Sequence, residues 1–390
     1  MAKKVDILII TNKQVFPATD GGALAMKKLA SILDKKKYSI NMICISKNNK
    51  SLDILKTSSL ISKTFKQIVF QKNMKFNLIN FIISIIKNTS YQASRFYDHQ
   101  IQKYIQDSID TRKYKIIIFE SIFACIYLEK LDIPNDTKTI FRAHNIEHKI
   151  WLDLANSNCF KKLLYRLLAS QIKKMELSIP KSINYILTLS LNDEKFFHEL
   201  FPKKTYNLPV HFTIKNHKTQ KIKNSIFHLG AMDWKPNAEG VKWFLNQVAP
   251  LINQKTRIYI AGKGMGSKYN IYKKDNILIE GEIKDANDYI ANKEILFVPI
   301  FSGSGIRIKI LEAMSMGIPV ISTKHGAVGI PYVNGHNIMI ANTAQDFSKA
   351  INKLVSDKKL AQKIGNNGKK IVQKYFSEDY ASSKWEKIIN

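Results

Sequence analysis

The stretch Pro299-Ile-Phe-Ser-Gly-Ser-Gly-Ile-Arg-Ile-Lys-Ile-Leu-Glu-Ala-Met-Ser-Met-Gly-Ile-Pro-Val-Ile-Ser322 holds the densest set of chemically useful side chains in the chain. Its pattern predicts a strand ending at Pro299, a loop containing Gly303, Ser304 and Gly305, and a helix closed by Gly317-Ile-Pro319. Glycines allow close approach of the backbone, and a helix N-terminus offers free N–H groups to an anion. Arg307 and Lys309 add two cations beside that end, so a diphosphate is the natural guest. Glu312 follows one turn on, where a carboxylate can accept hydrogen bonds from a ribose diol. Ala313, Met314 and Met316 read as core.

Other segments carry weaker signals. Pro17-Ala-Thr-Asp-Gly-Gly22 lies between a first strand and a first helix, and Gly21 and Gly22 let the backbone face a phosphate or sugar. Phe141-Arg-Ala-His-Asn-Ile-Glu-His148 is an unusually polar run after a strand, with His144, Asn145, Glu147 and His148 as candidates in that order. Phe227-His-Leu-Gly-Ala-Met-Asp-Trp-Lys-Pro-Asn237 offers a tight turn at Gly230 and a rim of Asp233, Trp234 and Asn237. Gly262-Lys-Gly-Met-Gly266 suggests a dinucleotide fingerprint, but Ser267 stands where the third glycine belongs. No Cys/His cluster or metal-binding Asp-x-Asp pair stands in a suitable context, so no metal is expected.

These segments need a scaffold of alternating strands and helices. Val5–Thr11, Ile40–Ile45, Tyr114–Phe119 and Lys138–Phe141 are strand candidates in the first part of the chain. Ser225–Leu229, Arg257–Ala261, Ile277–Ile279, Ile295–Pro299 and Pro319–Ser322 form a second series. Such alternation implies βαβ units and mainly parallel sheets. The polar segment Pro202–Asn224 reads as the crossing between two halves. Ala344–Ser356 and Lys358–Tyr375 are helices, and Ser377 caps a last one anchored by Trp385. The 390 residues suffice for two domains, each burying its own core.

Charge and hydropathy narrow the partners. The net charge is +30, yet arginine occurs at only six positions, and scattered lysine suits a polyanion or anionic lipid better than base-specific nucleic-acid readout. A lysine-, isoleucine- and asparagine-rich composition also follows from an AT-rich coding bias. The run Phe76–Ile86 is about 16 Å long as a helix, half a bilayer core, so it does not span a membrane. Asn77, Asn80, Ser84 and Lys87 put one narrow polar stripe on an otherwise apolar helix there. Such a helix is buried or lies on a membrane surface, and the single lysine at each end favours burial. No signal peptide is visible, and Cys44, Cys125 and Cys159 read as reduced thiols of a cytoplasmic protein.

On the Pro299–Ser322 stretch, and above all on Gly305-Ile-Arg-Ile-Lys-Ile-Leu-Glu-Ala-Met314, the chain resembles family 4 of the retaining glycosyltransferases, of bacterial surface-polysaccharide type. The likeness runs from Ile7 to the C-terminal helix. It implies the α/β GT-B fold: two Rossmann-like domains facing across a cleft, with a C-terminal helix packing back on the first. The implied domains are an acceptor-side domain at 1–212, a nucleotide-sugar domain at 213–375 and the returning helix at 376–390. Members carry two glutamates with seven residues between them. The second matches Glu312, assigned to the nucleotide ribose, whereas Ser304 stands at the first, where it and neighbouring N–H groups would replace the contact to the donor sugar. The Arg and Lys that many members place after the first strand of this domain are absent here, which leaves Arg307 and Lys309 as the diphosphate cations. His144 matches the histidine beside the donor sugar, Gly21 and Gly22 match the glycine loop, and Gly281-Glu-Ile283 matches the segment that cradles the base through its backbone.

The resemblance therefore implies a retaining transferase with a nucleotide diphosphate sugar as co-substrate and neither cofactor nor metal. Catalysis falls to His144, Arg307 and Lys309, and donor binding to Gly21, Gly22, Gly230, Ile283, Ser304, Gly305 and Glu312. The acceptor is a saccharide or lipid-linked saccharide. An anionic membrane surface is a further expected partner, which would make the protein peripheral on the inner face of the cell membrane, and nucleic acid is not expected. Two other readings compete, a sugar-nucleotide epimerase of the same fold and a non-catalytic polyanion-binding protein.

Overall fold

Short runs of isoleucine, leucine and valine bounded by polar turns become strands buried on both faces, the pattern of a parallel sheet covered by helices. The computed structural model describes residues 5–35, 38–48, 55–156, 160–214 and 220–389. They form two compact units, one up to Leu208 and one from Pro209.

In the first unit the strands are β1 (Asp6–Thr11), β2 (Ser39–Lys47), β3 (Leu55–Ser62), β4 (Phe65–Lys72), β5 (Ile116–Glu120), β6 (Lys138–Ala143), β7 (Tyr185–Thr188) and β8 (Thr205–Asn207). Their spatial order is β3-β4-β2-β1-β5-β6-β7-β8. Only β3 runs antiparallel, paired with β4, and it forms the sheet edge. β1 sits between β2 and β5, with Ile7 opposite Ile40 on one side and Ile116 on the other. The chain order reverses between β1 and β5, so the loops after these strands flank a crevice of the kind that binds ligands in open α/β sheets. Leu8, Ile10, Ile43, Ile117, Phe119 and Phe141 form the centre of the core.

The second unit repeats the design with β9 (Ser225–Leu229), β10 (Arg257–Ala261), β11 (Ile277–Gly281), β12 (Ile295–Val298), β13 (Val320–Ser322) and β14 (Met339–Ile340). The order is β11-β10-β9-β12-β13-β14, every pair parallel, and the reversal lies between β9 and β12. Phe244 stacks on Phe297 at 3.9 Å between ring centroids in its core. The helices Ala344–Ser356 and Lys358–Tyr375 have the expected bounds, and the Ser377 hydroxyl accepts the Tyr380 N–H at 3.2 Å to start Glu378–Ile389. Trp385 of that helix is fully buried.

The expected α/β class and its parallel sheets are thus observed. Two features differ from the sequence reading. The β3–β4 hairpin and the short strands β7, β8 and β14 are absent from the sequence reading. The helix Leu78–Ile86 does not bury its apolar side: Ser84 is its one buried residue, and Ile79 and Ile86 are 69% and 78% exposed. Of the three cysteines, Cys44 and Cys125 are buried free thiols and Cys159 lies outside the described residues, as do residues 215–219 of the expected crossing segment.

Candidate active site

The second unit builds its site at the β9/β12 crevice. β12 ends at Val298, and the loop Ser302–Gly305 then turns on Gly303 and Gly305, both in the left-handed region at φ +88° and +83°. Arg307, at the N-terminus of the helix Ile308–Ser315, is 5% exposed and folds back under this loop. Its guanidinium donates to the carbonyls of Ser304 and Gly305 at 2.6 Å each, Gly303 at 2.8 Å and Ser302 at 3.2 Å. It also lies over the Trp234 ring, 5.2 Å from the centroid. One side chain thereby fixes four consecutive carbonyls.

Lys309 completes the constellation. Its Nζ donates to Asn237 Oδ1 at 2.9 Å and lies 3.4 Å from His228 Nε2. His228 is fully buried in β9, and its Nδ1 is 3.1 Å from the Phe297 carbonyl in β12. A carbonyl only accepts, so Nδ1 carries the proton and Nε2 presents a lone pair to Lys309. Burial, then the Lys309 charge, holds His228 well below the usual imidazole range. Burial first, and the Arg307 charge second, push the Lys309 ammonium down to about 7. This ammonium is therefore poised to be stabilised by an arriving anion.

Gly230 follows β9 and packs directly against Lys309 and Asn237. A Cβ there would stand 2.4 Å from Lys309 Nζ and 2.7 Å from Asn237 Nδ2. Gly230 N donates to Ala261 O at 3.0 Å, and Gly262 N donates to Gly281 O at 2.7 Å, which links the ends of β9, β10 and β11. A Cβ on Gly262 would fall 1.7 Å from Gly230 O, so this glycine serves backbone packing and not a dinucleotide fingerprint. Ile283 lies two residues beyond Gly281, half-buried. Glu312 is half-buried one turn along the helix from Ile308. The structure thus gathers Gly230, Ser304, Gly305, Arg307 and Lys309, while Glu312 stands further along the same helix and Ile283 just beyond β11. Asn237, expected at the rim, is buried and bonds Lys309 and the Ala231 carbonyl. His228 was missed, and no local signal marks it.

The first unit gathers His144, Gly21 and Gly22 near the β1/β5 crevice. Glu120, fully buried at the end of β5, accepts from Arg142 at 2.9 Å and meets His144 Nε2 at 2.5 Å. Arg142 also donates to Ala25 O at 3.1 Å, tying the first helix to the same network. Burial alone would raise the Glu120 carboxyl, but Arg142 and then the bond and charge of His144 bring it below the usual range. Burial, only partly offset by Glu120, holds His144 below the usual imidazole range. With the carboxylate ionised, Nε2–H donates and Nδ1 keeps an accepting lone pair. Gly21 and Gly22 open the helix Gly21–Lys35, where Asp20 accepts from Ala23 N at 2.8 Å and pairs with Lys13 at 2.9 Å. Glu120 and Arg142 escaped the sequence reading; charged residues closing the apolar runs Ile116–Phe119 and Thr139–Phe141 were the available signal. Glu147, nearby in sequence, is pushed up to about 7 by burial and the Glu176 charge, and Glu176 itself bonds His148.

Residues 223–357 match the family model for Glycosyl transferases group 1. The chain carries a group 1 glycosyltransferase domain. This transferase is similar along its length to known proteins of low identity. An uncharacterized 44.6 kDa protein in the cps region of Klebsiella pneumoniae is 22% identical over 88% of this chain and 89% of that one. Among solved structures, sucrose-phosphate synthase from Thermosynechococcus elongatus superposes with a TM-score of 0.71 at 14% identity, covering 99% and 98% of the two chains. HepE of Anabaena, solved with UDP and glucose, gives 0.65 at 13% identity over 98% of each. These likenesses agree with the GT-B fold of two Rossmann-like units. Among the described residues no group of three or more His, Cys, Asp or Glu side chains gathers in a metal-like cluster.

Proposed function

We propose that this transferase is a retaining, family 4 enzyme that moves a sugar from a nucleoside diphosphate sugar to a saccharide or lipid-linked saccharide, on the cytoplasmic side of a membrane. The observation that carries the reading is Lys309: a half-buried ammonium pushed down to about 7, held by the neutral groups Asn237 and His228, against Gly230 beside a helix N-terminus. A diphosphate there would gain a fixed countercharge in a water-poor setting, where such charge stabilises a leaving group most. The solved HepE complex with UDP and glucose, and the cps-region relative, support the donor class and a polysaccharide role.

In this reading the bond from the anomeric carbon to the diphosphate breaks as that carbon gains oxocarbenium character. Lys309 and the N–H groups of the loop and helix take up the charge developing on the diphosphate. Arg307 holds the loop and adds its own field. Glu312 accepts from the ribose diol, and the turn through Ile283 borders the base. The protein's own cations are proposed to suffice without a metal. His144, its proton fixed on Nε2 by Glu120, offers Nδ1 to a sugar hydroxyl, and Ser304 with its neighbouring N–H groups serves in place of a glutamate. A thermal-shift panel of nucleoside diphosphates and nucleotide sugars tests the donor class. One member should stabilise the protein by about 2.7 kcal/mol at a hundred times its Kd. A panel with no shift at millimolar ligand contradicts the proposal.

A further inference from the structure

The helix Leu78–Ile86 is inside out. Leu78, Ile79, Ile82, Ile83, Ile85 and Ile86 are 41% to 78% exposed, and Phe76 just before them is 61% exposed. At 3.6 residues per turn these six side chains cover an arc of about 160°, and Ser84 stands opposite its middle. Ser84 is the buried residue, and its hydroxyl accepts from Gln171 Nε2 at 3.3 Å in the helix Lys162–Ser178. The helix is therefore seated by its polar side, and its apolar side faces away from the unit that carries it. This attachment is well built: Asn77 caps the N-terminus at 2.9 Å, Lys174 Nζ donates to Asn88 O at 3.3 Å, and Phe76, Phe81 and Tyr91 pack their rings together.

A second exposed apolar pair lies on the supporting helix. Leu163 is 83% exposed and Phe160, just before that helix, is wholly exposed. Leu163 is two turns, about 12 Å, from Gln171, on the adjoining side of the same helix. The charge within the two segments that carry the patches has one sign. Residues 73–97 and 160–175 contain Lys75, Lys87, Arg95, Lys161, Lys162, Arg166, Lys173 and Lys174 and no Asp or Glu.

We propose that this face docks on an anionic lipid bilayer, with Leu78–Ile86 lying in the interface plane and the flanking cations on the headgroups. A nine-residue helix reaches about 14 Å, and no described helix is long and apolar enough to cross a membrane, so the contact is peripheral. Apolar burial and attraction to anionic headgroups act together in such a contact. A second copy of the chain is the poorer occupant, because a two-fold interface would set the cations of one copy against those of the other on a chain of net charge +30. The proposal deepens the membrane-surface reading above and stands independently of the sugar-transfer chemistry.

Co-sedimentation of the full chain with vesicles tests it. Binding to mixed phosphatidylglycerol–phosphatidylcholine vesicles should exceed binding to pure phosphatidylcholine and fall as salt rises. The double variant Ile79→Ser/Ile86→Ser removes two exposed side chains without touching the core. It should lower the partition coefficient about tenfold or more while leaving nucleotide binding and circular dichroism unchanged. Trp placed by Ile82→Trp should shift its emission to the blue on anionic vesicles. Undiminished binding of the double variant would overturn the proposal and leave only diffuse attraction of lysines. Failure to sediment, with a dimer in light scattering that the double variant abolishes, would overturn it in favour of a self-association face.

Discussion

Arg142, Glu120 and His144 show how much of this site rests on pairs that no sequence pattern displays. Glu120 and Arg142 are 22 positions apart and meet only because β5 and β6 are neighbours in register. Removing one partner of such a buried pair leaves the other charge uncompensated, which costs about 3–5 kcal/mol. The titration has a definite sign. Glu120 lies below the usual carboxylate range in the fold, so its contribution is full above the unfolded value and fades as pH falls through the folded one. His144 also lies below its usual value, so the unfolded chain gains a proton first, and stability falls as pH drops below about 6.5. Denaturant titrations at a series of pH values should therefore show stability declining towards acid from the imidazole range down. Glu120→Gln should be less stable at neutral pH by the stated amount, with a flattened carboxylate limb. A variant of wild-type stability and unchanged pH profile would remove Glu120 from this role. His144 itself was legible, because a polar run straight after a strand marks a crevice loop; what fixes its proton was not.

At the scale of elements, the crevice of the second unit depends on turns whose glycines do different work. Gly230 faces the flexible end of Lys309, whereas Gly262, at φ +149°, faces the backbone of Gly230. Gly230→Ala should therefore leave a folded protein, since Lys309 Nζ can move, but weaken nucleoside diphosphate binding about tenfold or more by crowding Lys309. Gly262→Ala should instead lose stability, by about 1–3 kcal/mol or more, because a backbone must shift at a strained φ. Paired unfolding and binding measurements separate the two, and a reversed pattern would contradict the assignment of the pocket. Five strands of the second unit, β9 to β13, were readable to within a residue or two, because each is an apolar run closed by a turn residue, whereas the two-residue β14 was too short to show a pattern. The β3–β4 hairpin was not. Its outer strand, Leu55-Lys-Thr-Ser-Ser-Leu-Ile-Ser62, is mostly polar, and an edge strand half in water carries little hydrophobic pattern. The helix Leu78–Ile86 misled for the converse reason. Composition called for burial, but the helix is seated by Ser84 on its polar side and by the rings of Phe76, Phe81 and Tyr91 at its start, which no apolar count can reveal.

For the whole molecule, length and the alternation of strand and helix patterns set the class and left the chemistry open: two α/β units, lysine-rich, with nothing in the charge total that names a substrate. The substrate reading rests on one pocket of the second unit, where a diphosphate would convert a half-deprotonated ammonium into a paired one. That pocket also fixes a pH signature. The Lys309 ammonium sits near 7 in the free protein, so binding a dianion should draw a proton from solution, and affinity should weaken as pH rises through 7 and above. Calorimetric titration of the tightest nucleoside diphosphate, in buffers of differing ionisation enthalpy, into wild type and Lys309→Met is the most direct test. The wild type should take up a fraction of a proton near neutral pH. Lys309→Met should stay folded, lose that proton uptake and bind about a hundredfold more weakly, the scale of a lost charge-assisted contact. Equal affinity and equal proton uptake in the two proteins would contradict the placement of the diphosphate, and with it the account of how this transferase holds its donor.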